Sequence, residues 1–165
     1  MEVAVLAAVA LLAAACSTGP DGGSASTTLG AVAPPESTVP PQLEGFGTDV
    51  VDLDGDAWTV AVADNPALRS QGLMGVLSLG PLDGMLFVFA DDTTANFHME
   101  DTLIPLDIAF FTEDGLLVST TRMVPCSADP CPSYAAAGPY RYALEAPAGE
   151  LSALDPEATL VVSAG

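Results

Sequence analysis

The chain has 165 residues, enough for one domain with a substantial hydrophobic core and too few for two comfortable ones. Its only cations are Arg69, Arg122 and Arg141, with no lysine, against 22 acidic residues, for a formal net charge of −19. That balance argues against a nucleic-acid partner or electrostatic docking to anionic lipid, both of which need clustered Lys and Arg, and describes an acidic, self-repelling surface.

From Val3 to Ala15 the chain is almost wholly apolar, then turns at "LLAAAC" into "STGPDGG". Thirteen residues fall short of the roughly 20 that span a bilayer, so residues 1–15 read as a secretory leader. Small residues running directly into Cys16 resemble the lipobox of bacterial lipoproteins, in which the cysteine is acylated and becomes the mature N-terminus, although no Lys or Arg precedes the apolar run. The resemblance implies an extracytoplasmic protein held to the cell membrane through a lipid on Cys16. Residues 16–45 are rich in Ser, Thr, Gly and Pro ("GGSASTT", "APPESTVPPQ") and read as a disordered linker. As a flexible coil it would reach about 30 Å.

The folded domain is expected over residues 46–165. "TDVVDL" and "AWTVAVA" flank "DGD", a hairpin signal with Gly55 free to take the positive φ of a tight turn. In "DNPALRSQGLM", Asn65 is a good N-cap, Pro66 suits the first helical position and Gly72 can end the helix after about two turns. Strands follow at "GMLFVF", "ANFHM", "PLDIAFF", "LLVSTTRM", "YRYALEA" and "ATLVVS". Seven or eight short strands and one short helix predict a mainly-β fold, a single small antiparallel β-sandwich or barrel-like domain. It is expected to be monomeric.

Few residues offer chemistry. Period two along Asn96 to Glu100 puts Phe97 and Met99 on the core face and Asn96, His98 and Glu100 on the other, so His98, the sole histidine, should line a groove with Glu100 and Thr102. Asp107 interrupts the apolar run "IPLDIAFF", and a buried carboxylate needs a cation. Arg69, whose guanidinium can engage a carboxylate through two parallel bonds, is the expected partner. Arg69, His98, Glu100, Thr102 and Asp107 are thus the candidate binding residues. Cys126 and Cys131 in "PCSADPCP" should form a disulfide in an exported protein, with a redox-active or metal-ligating pair as the alternative.

Two further readings stay open. Met74, Met85, Met99 and Met123 with His98 could bind extracytoplasmic copper, since thioether and imidazole suit Cu(I), although methionine in apolar segments is ordinary core filling. A hydrolase would have to use His98 or paired acids such as Asp101 and Asp107, and no GxSxG elbow is present. No catalytic residue, resident metal or cofactor is assigned. The preferred reading is a tethered envelope module that binds an unidentified small ligand or envelope partner.

Four segments in order, "RSQGLMGV" (Arg69 to Val76), "GMLFVF" (Gly84 to Phe89), "FHMEDTLIPLDIAFF" and "LEAPAG" (Leu144 to Gly149), resemble the bacterial and archaeal domain-of-unknown-function family 192 over roughly Asp49 to Val162. The resemblance implies a small mainly-β domain of sandwich type and no reaction. Where the family usually reads FWMKxT this chain has "FHMEDT", so His98 replaces tryptophan and Glu100 replaces lysine. A position that holds tryptophan in relatives is not a family-wide acid or base.

Overall fold

The computed structural model describes residues 38–163. The leader, Cys16 and most of the expected linker lie outside the described residues. The ordered chain begins upstream of Phe46: Pro41–Leu43 forms one 3-10 turn, and Leu43 is only 2% exposed and belongs to the core. Proline-rich composition places this stretch in the linker, but a single leucine with a site to fill is enough to dock the turn.

Nine strands follow: β1 (Gly47–Leu53), β2 (Asp56–Ala63), β3 (Gly84–Thr93), β4 (Phe97–His98), β5 (Leu106–Phe111), β6 (Leu117–Met123), β7 (Ser133–Tyr134), β8 (Tyr140–Pro147) and β9 (Leu160–Val161). The eight expected strands are all present, and β7 is the addition. Asp54 and Gly55 both take positive φ, 55° and 93°, as a two-residue hairpin turn between β1 and β2 requires. Helix α1 (Pro66–Gln71) starts where Asn65 accepts hydrogen bonds from the Ala67 and Leu68 amides and ends at Gly72.

Seven strands form one sheet in the order β6-β5-β8-β3-β2-β1-β9, and β4 pairs with β7 apart from it. Pairing is antiparallel except between β2 and β3, which run parallel because residues 64–83, including α1, return the chain to the same end. The sheet curls until its two ends approach. Leu116, just before β6, bridges Thr159, just before β9, and the Leu160 amide reaches the Gly115 carbonyl at 2.9 Å. The result, among the described residues, is a half-barrel, mainly antiparallel, with one short α-helix. Beyond this seam β9 covers only Asp52 and Leu53 of β1, while β2 pairs β1 along its whole length.

Two cores lie on the two faces of the sheet. One gathers Val51, Leu53, Val60, Leu86, Ala109, Phe111, Leu144, Leu151 and Leu160, from strands at both ends of the order, as curling demands. The other gathers Met85, Phe87, Ile108, Phe110, Met123 and Tyr140 beneath α1, the loop after it and the β4 segment. Strict alternation assigns neighbours to opposite faces: Leu106, Ile108 and Phe110 to the second core, Ala109 and Phe111 to the first. Where β3 meets β8, Gly84 lies so close to the Glu145 carbonyl that any Cβ there would collide with it. The glycine lets the two central strands approach.

Candidate functional site

Over the second core, α1 and its following loop face the segment around β4 across a cavity of about 320 Å³. Its walls are Arg69 to Met74 on one side, Ala95 to His98 and Glu100 on the other, with Phe87, Phe89 and Glu145 from the sheet. Three bonds hold these walls. The Tyr140 hydroxyl donates to the Ala95 carbonyl at 2.7 Å, the Gly75 amide donates to the Asp101 carbonyl at 2.9 Å, and the Gln71 side chain donates to the Gln42 carbonyl at 2.7 Å. Burial pushes the Tyr140 phenol up to about 12, so it stays a donor at ordinary pH.

The strand phasing read from "NFHME" holds. Met99 is buried and Phe97 half-buried, packed edge-on against Phe87 with centroids 5.0 Å apart, while His98 and Glu100 are exposed and line the cavity. His98 and Glu100 also border a second, more open depression of about 530 Å³ beside the loop Cys126 to Cys131. Those two cysteines form a disulfide, with Cα atoms 5.5 Å apart. Thr102 is not in the groove. It is buried beneath the turn, its amide donating to the Met99 carbonyl and its hydroxyl to that of Glu100 at 3.3 Å, because the chain reverses after Met99 instead of extending.

The expected pairing of Arg69 with Asp107 is not formed. Asp107, 1% exposed, lies on the opposite face of the sheet, where Arg122 donates to it at 2.8 and 3.3 Å and the Gly149 and Leu151 amides at 2.7 and 3.3 Å. The physical reason is register: Asp107 stands directly across from Arg122 in the β5–β6 pairing. Burial pushes the Asp107 carboxyl up, but the hydrogen bonds from Arg122, Gly149 and Leu151 outweigh it and hold the group below its ordinary value. Arg69 lines the cavity, its guanidinium donating to the Asp64 and Val88 carbonyls at 2.8 and 2.9 Å and lying 4.9 Å from the Phe89 ring centre. The third arginine, Arg141, meets Asp92 at 3.1 Å and Glu113 at 3.4 Å.

The residue that the motifs above do not single out is Glu145. On central strand β8 it stands opposite Met85 of β3 and Ile108 of β5, both fully buried, and is 4% exposed. Among the described residues no side-chain hydrogen bond to its carboxyl is formed, and since no fully enclosed side-chain oxygen lacks a partner, its oxygens open on the cavity that it lines. Burial alone pushes it up to about 8, leaving it largely protonated at neutral pH. The signal was available in "YALEAP", an acid within a strand whose neighbours on both faces are apolar, the same interruption that draws attention to Asp107.

Met85, Met99 and Met123 sit fully buried in the second core, so of the four methionines only Met74 lines the cavity with His98. Among the described residues, no three His, Cys, Asp or Glu side chains are grouped to hold a metal ion. The two shifted carboxyls, Glu145 and Asp107, lie on opposite faces of the sheet and do not share a cleft.

Two crystal structures are similar to this fold. A protein of unknown function from Novosphingobium aromaticivorans DSM 12444 superposes with a TM-score of 0.65 at 27% identity, covering 76% of this chain and 91% of that one. A protein from Sinorhizobium meliloti 1021, described as a candidate transcription regulator, gives a TM-score of 0.60 at 29% identity over 70% of this chain and 93% of its own. No curated protein matches the sequence. The model of the DUF192 family, described as "Uncharacterized ACR", matches residues 50–161, well over half the chain. The chain belongs to the DUF192 family.

Proposed function

We propose that this protein is a ligand-binding module of the cell envelope, exported, lipid-anchored through Cys16, and built to hold a small molecule in the cavity between α1 and β4. One observation carries the binding half of this reading: a buried carboxyl, Glu145, that opens on a cavity walled by Phe87, Phe89 and Phe97 and forms no side-chain hydrogen bond among the described residues. Buried polar groups are ordinarily satisfied, and this concavity joins an aromatic wall to polar side chains that include Arg69, Asn96 and Glu145, a mixture that suits a small-molecule site. The "LLAAAC" junction and the Cys126–Cys131 disulfide support export. The regulator description of the Sinorhizobium meliloti relative does not transfer readily, since the net charge is −19 and all three arginines are already engaged.

The test has two arms. Mass spectrometry of the membrane fraction should find a mature chain beginning at acylated Cys16, and any other N-terminus removes the anchor. An NMR fragment screen should yield compounds that shift the Phe87, Phe97 and Glu145 signals and that no longer bind when Ala95→Trp occludes the cavity rim. If no fragment meets both criteria, the cavity is not a binding site.

A further inference from the structure

The chain treats its two most buried carboxyls differently. Asp107 receives an arginine and two backbone amides, whereas Glu145 receives no hydrogen bond from the described residues. The chain has no lysine, and its three arginines are committed to Asp107, to Asp92 and Glu113, and to backbone carbonyls beside Phe89. Among the described residues no cation is paired with Glu145, and the surrounding groups on the sheet, Met85 and Ile108, can neither donate nor accept strongly.

We propose that the cavity takes an organic cation, an amine whose ammonium pairs with the Glu145 carboxylate while its apolar body packs against Phe87 and Phe97. This rests on the binding-module reading above and adds the chemical class of ligand. An ammonium supplies both the charge and the N–H donors that Glu145 lacks, and the faces of the phenylalanine rings are attractive to a cation in a desolvated site. The acidic surface raises the local concentration of cations around the molecule. Arg69, the one charge of the wrong sign in the wall, is held at the α1 side by the Asp64 and Val88 carbonyls. The proton balance is explicit: the neutral Glu145 carboxyl and the ammonium form the ion pair, and the carboxyl proton leaves to solvent.

The probes are 2-phenylethylammonium, the neutral 2-phenylethanol and the anionic 3-phenylpropanoate, titrated calorimetrically into the full chain at pH 7 in two buffers of different ionisation enthalpy. The amine should bind most tightly, with up to one proton released per molecule bound. Glu145→Gln should weaken it by on the order of 30-fold, as loss of one member of a buried charge pair does, and abolish the proton release. His98 and Glu100, which also line the cavity, and Arg69 are the other charged or titratable groups there, so the Glu145→Gln comparison identifies the source of the proton. Should Glu145→Gln fail to fold, the same titrations of His98→Gln and Glu100→Gln decide the matter, since proton release that survives both substitutions comes from Glu145. If the alcohol or the carboxylate binds as well as the amine, or the amine binds with no proton released, the cation assignment is wrong while the cavity remains a binding site. If none of the three binds but fragments sensitive to Ala95→Trp are found, the assignment likewise fails and the broader reading stands.

Discussion

Two carboxyls give the molecule opposite responses to pH. The unfolded chain gives up the Glu145 proton near its ordinary 4.5, while the folded chain keeps it until about 8, so this group's contribution to stability is full below the first value and is lost as pH rises through the second. Asp107 works the other way: its folded value lies below the ordinary 3.8, and the stability it contributes is present above 3.8 and lost as pH falls below it. The melting midpoint should therefore decline between about pH 5 and pH 8 in the native protein, and Glu145→Gln should flatten that decline while leaving the acid limb in place. A native midpoint that is level or rising across this range would show that Glu145 is ionised in the fold. Of this pair the sequence exposes the acids but not their surroundings. Asp107 stands out within "IPLDIAFF", but its partner does not, because periodicity says nothing about which strand lies alongside, and register alone brings Arg122 opposite. Glu145 interrupts "YALEAP" in the same way, but only the topology shows that β8 is a central strand with both faces covered.

At the scale of elements, local chemistry was legible wherever it decides structure by itself. The Asp54-Gly55 turn, the Asn65 cap, the Gly72 stop and the inward phase of Phe97 and Met99 all follow from single residues or from period two. Met99 is the anchor of the β4 segment, 1% exposed, whereas Phe97 is half-buried and shares its ring between the aromatic cluster and the cavity. Met99→Ala should accordingly cost about 2 to 5 kcal/mol as a core truncation, while His98→Trp, on the exposed side, should stay within about 0.5 kcal/mol of the native protein. Chemical denaturation of both variants checks this. A His98→Trp loss comparable to that of Met99→Ala would mean the histidine is packed inward. What period two could not foresee is the turn after Met99, in which Asp101 takes a positive φ of 51° and Thr102 is drawn under the surface instead of onto the groove. Asp tolerates that conformation better than most residues.

For the molecule as a whole, counting strands gives the fold class but not the curl, the parallel pairing of β2 with β3, or the seam at Leu116 and Thr159, since these depend on contacts between segments far apart in the chain. The incomplete seam has a colloidal consequence. Among the described residues β9 pairs only with Asp52 and Leu53, so nothing described covers the upstream half of β1, and an open strand edge is the usual starting point for edge-to-edge aggregation. Two features oppose this. The Asp49 carboxylate accepts a hydrogen bond from the neighbouring Val50 amide at 2.8 Å, occupying a donor that an incoming strand would use, and two copies meeting here would bring like charges at Asp49 and Asp52 together. Replacing Asp49 with Val, which favours strands and leaves Val50, itself 53% exposed, without its cover, should make the protein self-associate at concentrations where the native chain does not. Light scattering as a function of concentration reads this directly, and an Asp49→Val protein that stays as dispersed as the native one would mean that some other part of the surface keeps this edge solitary. Read this way, part of the molecule's acidity is a gatekeeper, letting a barrel remain open on one side without becoming adhesive.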